Sequence, residues 1–128
     1  MKKLAVATFL GAVLAGAGLA HAGLVSNQQV MIWTSDGLDA ANGALLPTRN
    51  SSDGGQYIGC SRYAYESGGS SIICYARDVN GAYKSCSTGN DQMLRVAETL
   101  NPAGYVYFVA NPDGTCNSVI SATASFFL

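Results

Sequence analysis

The chain has 128 residues, of which 48% are hydrophobic and only 12% charged. That is enough for one domain with a core of its own and too little for two. Seven basic side chains stand against eight acidic ones, a net charge of −1, and no basic stripe interrupts the sequence. Nucleic acid is therefore not expected as a partner.

The first element in chain order is a processing signal. Lys2 and Lys3 precede an apolar run from Leu4 to Leu19, and Ala20-His21-Ala22 supplies the small residues of a cleavage site. The expected organisation is a Sec-type signal peptide at 1–22 and a single secreted domain at 23–128, periplasmic or extracellular, with no membrane span after cleavage. His21 is the only histidine of the chain. Its removal would leave no imidazole for a Ser-His or Cys-His nucleophile pair, for general base work at neutral pH, or for a zinc site. The mature chain would hold five cations against eight carboxylates, a net −3.

Strand signals, rich in Tyr, Val, Ile, Ser and Thr, place strands near 24–34, 55–65, 70–78, 82–88, 104–110 and 116–127. Between the first two, Ser35 to Gly55 is polar and without a convincing period. It reads as a long surface loop with a short helix around Asp39 to Ala44. Asp36 and Asp39 are the nearest approach to a catalytic carboxylate pair, and with Asn42 they could offer oxygens to calcium, although the spacing is not that of an EF-hand. Asp-Gly occurs at Asp36-Gly37, Asp53-Gly54 and Asp113-Gly114, where the carboxylate is expected to cap a turn. No metal, cofactor or catalytic constellation is expected, and the chain reads as a non-enzyme.

The four cysteines, Cys60, Cys74, Cys86 and Cys116, are expected to form two disulfides in an exported protein. A three-residue loop Val79-Asn80-Gly81, with Gly81 at positive φ, pairs Asp78 with Ala82 and brings Cys74 opposite Cys86. On that register the expected bridges are Cys74–Cys86 and Cys60–Cys116; other pairings stay open. The same register sets Ile72, Cys74, Ala76 and Cys86 on one face of the hairpin and Tyr75, Arg77 and Tyr83 on the other. Those last three are the candidate ligand-binding residues, since aromatic rings offer contact area and Arg a fork of donors. The alternative is that the tyrosines pack beneath the long loop or the helix. Tyr57, Tyr63 and Tyr65 form a second such set, and Tyr105 and Tyr107 a third.

After Cys86, Thr88-Gly-Asn-Asp91 is a capping signal, followed by Met93, Ala97 and Leu100 at helical spacing. A helix is expected over about 90–100, closed by Pro102, with Asp91 four residues before Arg95 as a surface pair. Asn111-Pro-Asp-Gly-Thr115 then turns the last hairpin. The expected fold is α+β: a small antiparallel sheet of five to six strands with one helix packed on it, stapled by two disulfides.

From "ICYARDVNGAYKSC" through the helix to "YVYFVANPDGTCNSV", Ile73 to Val119, the chain resembles small exported, disulfide-containing bacterial proteins of unknown function. That resemblance implies a scaffold and no activity. Periplasmic lysozyme inhibitors carry a Ser/Gly-Ala-x-Tyr loop, and Gly81-Ala82-Tyr83 lacks its intervening residue. The expected function is a non-catalytic binding or envelope-associated protein whose partner is a cell-wall or extracellular polysaccharide or a secreted protein. The alternative is an inhibitor of a secreted hydrolase such as a lysozyme or protease, acting through the loop 35–55.

Overall fold

The computed structural model describes residues 25–127; the expected signal peptide lies outside the described residues. Asp36 and Gly37 both take positive φ, 51° and 76°, as a two-residue turn matched to the twist of its strands requires. They join β1 (Met31–Ser35) to β2 (Leu38–Ala44) in a tight antiparallel hairpin. The segment expected to be a long loop is thus a strand followed by a one-turn helix, α1 (Leu45–Arg49). Small residues make this strand possible. A Cβ built on Gly43 would lie 3.2 Å from Ile58 and 3.3 Å from Val30, so the neighbouring layer approaches the bare backbone.

The strands β3 (Tyr57–Ala64), β4 (Ser70–Arg77) and β5 (Tyr83–Thr88) form an antiparallel sheet in the order β3-β4-β5. The strands β6 (Gly104–Ala110) and β7 (Cys116–Thr123) join the first hairpin in a second sheet, β1-β2-β6-β7. The α+β class holds, but the described residues form two sheets and seven strands rather than one sheet of five or six. Their inner faces share one core: Ala41, Val106, Phe108 and Val119 from the larger sheet meet Ile58, Ile72, Cys74 and Cys86 from the smaller. The final strand ends at Thr123, short of the expected 127. The chain then turns back through Ser125–Phe127, where Phe127 is buried and stacks on Tyr105.

The helix α2 (Asp91–Glu98) follows β5 and packs on β7, β4 and β3, sinking Leu94 into the core. Met93, Val96, Ala97 and Leu100 are half-buried around it, so the expected stripe is present with Leu94 as its deepest member. The N-cap is Asn90 rather than Thr88. Its Oδ1 accepts from the amides of Gln92 and Met93 at 3.0 and 3.1 Å, while Thr88 Oγ1 accepts from the Asn90 amide. Two donors that would otherwise be orphaned depend on one side chain, so Asn90→Ala is expected to cost about 1 kcal/mol in urea unfolding. Arg95 takes no ion pair with Asp91; the two pairs among the described residues are Arg62–Glu98 and Lys84–Asp39.

The disulfides are Cys60–Cys74 and Cys86–Cys116, not the pairing expected. The register that suggested Cys74–Cys86 is correct, and the two residues do face each other across β4 and β5. Cys74, however, lies on the middle strand and faces Cys60 on its other side. Its bond goes to Cys60, and Cys86 is left to reach Cys116 on the second sheet. There the amide of Ser87 already donates to the carbonyl of Gly114. One bridge therefore locks two strands of one sheet, and the other ties the two sheets together.

Candidate functional site

Alternation along β3, β4 and β5 divides their side chains between two faces. The inner face carries Ile58, Ile72, Cys74, Ala76 and Cys86, all buried. The outer face consists of three rows across the sheet, Tyr57–Arg77–Tyr83, Gly59–Tyr75–Ser85 and Ser61–Ile73–Ser87, with Tyr63 opposite Ser71 beyond them. None of these eleven positions is buried and none is acidic. The buried core lies on the other side, leaving Tyr57, Tyr63 and Tyr83 exposed and Tyr75 half-buried.

The three residues singled out from sequence lie together on this face. Arg77 stands directly opposite Tyr83, as the hairpin register requires, and opposite Tyr57 on its other side. Tyr57 joins the set by its place in β3, which sequence pairing of one hairpin could not supply. Tyr57 and Tyr83 are 42% and 52% exposed, so large parts of two rings are open to solvent. The Tyr57 ring lies 6.1 Å from Tyr75 edge-on and 6.5 Å from Tyr83 in a tilted contact, so the rings lean toward one another above the sheet. Gly59 sits opposite Tyr75, whose hydroxyl lies 3.1 Å from Ser61 Oγ.

The loop after β4 is the expected three-residue one. The Asp78 amide donates to the Ala82 carbonyl, and Gly81 takes φ 83°. A Cβ on Gly81 would stand 3.4 Å from Arg77 Nη2, so the bare glycine leaves the guanidinium room above the loop. Beside this face, along the open edge of β3, an apolar groove of about 590 Å³ runs between α1 and the segment after α2. Leu45, Arg49, Gly59, Tyr75, Leu100 and Pro102 line it.

The carboxylates considered from sequence do not converge. Alternation along β2 sends Asp39 and Asn42 to opposite faces, so with Asp36 in the preceding turn they do not form an oxygen cage. Asp39 instead binds Lys84 at 2.9 Å and accepts from Thr34 Oγ1 at 2.6 Å. Those two hydrogen bonds, Lys84 first, hold its carboxyl below the ordinary range. Asp53, Asp78 and Asp113 each accept from backbone amides of their own turns. The Asp113 carboxyl is lowered by the Thr115 hydroxyl and amide. Among the described residues no three His, Cys, Asp or Glu side chains gather as a metal site.

The larger sheet has an exposed outer patch that sequence reading had not grouped. One row runs Met31–Asn42–Tyr107–Ile120, and Trp33 stacks on Tyr107 with centroids 5.9 Å apart. Its signal was available in principle: Trp33 lies two residues from Met31, before an Asp-Gly hairpin turn. No family model, curated protein or solved structure matches this chain, and the resemblance noted over Ile73–Val119 has no counterpart there.

Proposed function

We propose that this chain is an exported, non-catalytic binding module that holds a cell-wall or extracellular polysaccharide on the tyrosine face of β3-β4-β5. The observation that carries this reading is a sheet face with four tyrosines, four serines and an arginine, no buried position and no carboxylate. Tyrosine gives a large, stiff, amphipathic contact with few rotamers to fix, and serine gives adaptable hydrogen bonds; the same mixture serves in antibody binding loops. A sheet, being rigid, presents these groups without the ordering cost of a mobile loop. The leader-like residues 1–22 and two disulfides support export. Among the described residues no helix is long and apolar enough to cross a membrane.

The test is co-sedimentation of the oxidised protein with purified wall and matrix polysaccharides. Tyr57→Ala and Tyr83→Ala are each expected to weaken binding by about tenfold, the range for losing one stacking ring, while thermal unfolding stays within a few degrees. Wild-type sedimentation by both variants would remove this face from the mechanism. The second reading, inhibition of a secreted hydrolase, is supported by the exposed Met31, Trp33 and Ile120 patch rather than by the segment 35–55, most of which is β2 and α1. Stoichiometric loss of lysozyme or protease activity, relieved by Trp33→Ala, would favour it.

A further inference from the structure

Charge on the tyrosine face narrows the class of glycan. The described residues hold five cations against eight carboxylates. Lys84 and Arg62 are engaged in the two ion pairs. Arg77 has neither an ion pair nor a hydrogen bond among the described residues, and it lies on the outer face of the small sheet, whose strand positions include no acid. The carboxylates just after β4 and just before β3 point into their own turns. Asp78 Oδ1 accepts from the amides of Asn80 and Ala82, both at 2.9 Å. Asp53 Oδ1 accepts from the amides of Gly55 and Gln56 at 2.7 and 2.9 Å, and its Oδ2 accepts from the Gln56 side chain. A net-acidic surface thus carries a local cation with all its donors available beside three clustered rings.

We propose that the preferred ligand is an acidic polysaccharide whose sugar rings carry carboxylates, with Arg77 as the residue that reads the charge; this rests on the glycan-binding reading above. A uronate ring has an apolar face of C–H groups and a carboxylate at its rim. Placed over Tyr57 or Tyr83, such a ring sets its carboxylate beside the ring edge, where the Arg77 fork can donate two parallel hydrogen bonds to it. Charge-assisted bonds of this kind are roughly twice as strong as neutral ones, so a neutral sugar gains less from the same arginine. Arg49 extends the argument. It also lacks an ion pair among the described residues, and it lines the groove that Gly59 and Tyr75 border, so a polymer passing from Arg77 across the rings meets a second cation.

Polygalacturonate and its fully methyl-esterified form share one backbone and differ in charge, which makes them the probes. Affinities of the oxidised protein for both are measured by titration calorimetry at low and high salt. The expected result is at least tenfold tighter binding of the acid form at low salt, a preference that shrinks as salt screens it. Arg77→Gln should lose about tenfold on the acid form and nothing on the ester. Arg95→Gln, on α2 and away from the face, should match the wild type on both, and Tyr83→Ala should weaken both. Thermal unfolding of each variant keeps a folding defect from passing as a binding one. Equal affinity for acid and ester, or an Arg77→Gln variant indistinguishable from wild type, overturns the charge inference and leaves the glycan reading intact. Binding of neutral glycans alone does the same. If no polysaccharide binds at all, both readings fall together.

Discussion

Replacing Cys86 and Cys116 together by alanine is expected to destabilise the oxidised protein by about 3.5 kcal/mol, the loop-closure value for a bond spanning 30 residues. For a domain of this size that lowers the melting temperature by about 15 °C. The size of the effect follows from what else joins the sheets. Each sheet is internally held by its own ladders, but among the described residues few polar links join them directly, the Ser87–Thr115 bridge, the Lys84–Asp39 pair and the bonds of Gln56 with Val30 and Gln29, beside side-chain packing. The covalent link therefore restricts the unfolded chain where few other interactions do.

Removing Cys60 and Cys74 should cost about 3 kcal/mol or less, because those residues already face each other in the β3-β4 ladder and the closed loop is shorter, 14 residues. Urea unfolding of both double variants gives the comparison. A larger loss from the Cys60/Cys74 variant would contradict this account of what holds the sheets together. Peptide mapping of the non-reduced protein supplies the independent check: fragments joining Cys74 to Cys86 would refute the pairing outright.

The disulfides also show where sequence reasoning reaches its limit. Hairpin geometry is local, so the loop Val79–Gly81 correctly placed Cys74 opposite Cys86. Which neighbour a middle-strand cysteine bonds depends on a third strand, and nothing near Cys74 announces that Cys60 lies across from it. The tyrosine face behaves the same way. Alternation separates Tyr75, Arg77 and Tyr83 from the apolar positions, yet their exposure depends on α2 and the second sheet both covering the opposite side.

Strands β3 to β7 and α2 were legible because aromatic and β-branched runs, Gly and Pro punctuation and a capping signal agree with one another. Strand β2 was not. "LDAANGA" has alanine, asparagine and glycine where strand propensity is low, and it is held extended by pairing on both sides with β1 and β6. Its small residues answer a tertiary demand, the close approach of Ile58 and Val30 to Gly43, which no local window contains. Missing it turned two sheets into one, because the expected single sheet had no β1-β2 hairpin to pair with the other edge of β6.

The centre of that second sheet is where the largest effect of a single substitution is expected. Phe108 is fully buried and is the largest such side chain in the core. It lies on β6 between Ala41 of β2 and Val119 of β7, both buried, and its ring belongs to the cluster that includes Ile72, Cys74 and Leu94. Small neighbours such as Ala41 have little side chain with which to refill the space, and the strands on both sides are fixed by their ladders. Phe108→Ala should therefore sit within the usual range for such truncations, about 3–5 kcal/mol, against a total stability of roughly 5–15 kcal/mol for a domain of this kind. Ile120→Ala, on the same sheet but 48% exposed, is expected to change stability by less than about 0.5 kcal/mol.

Thermal unfolding followed by near-ultraviolet circular dichroism distinguishes the two, and a loss below about 1 kcal/mol for Phe108→Ala would mean that the site collapses around the vacancy. Because Phe108 faces the core and the tyrosines face solvent on the other sheet, the fraction of Phe108→Ala that remains folded should match the wild type in the proposed glycan binding. Lower affinity in that folded fraction would show that the tyrosine face depends on the packing of the sheet behind it.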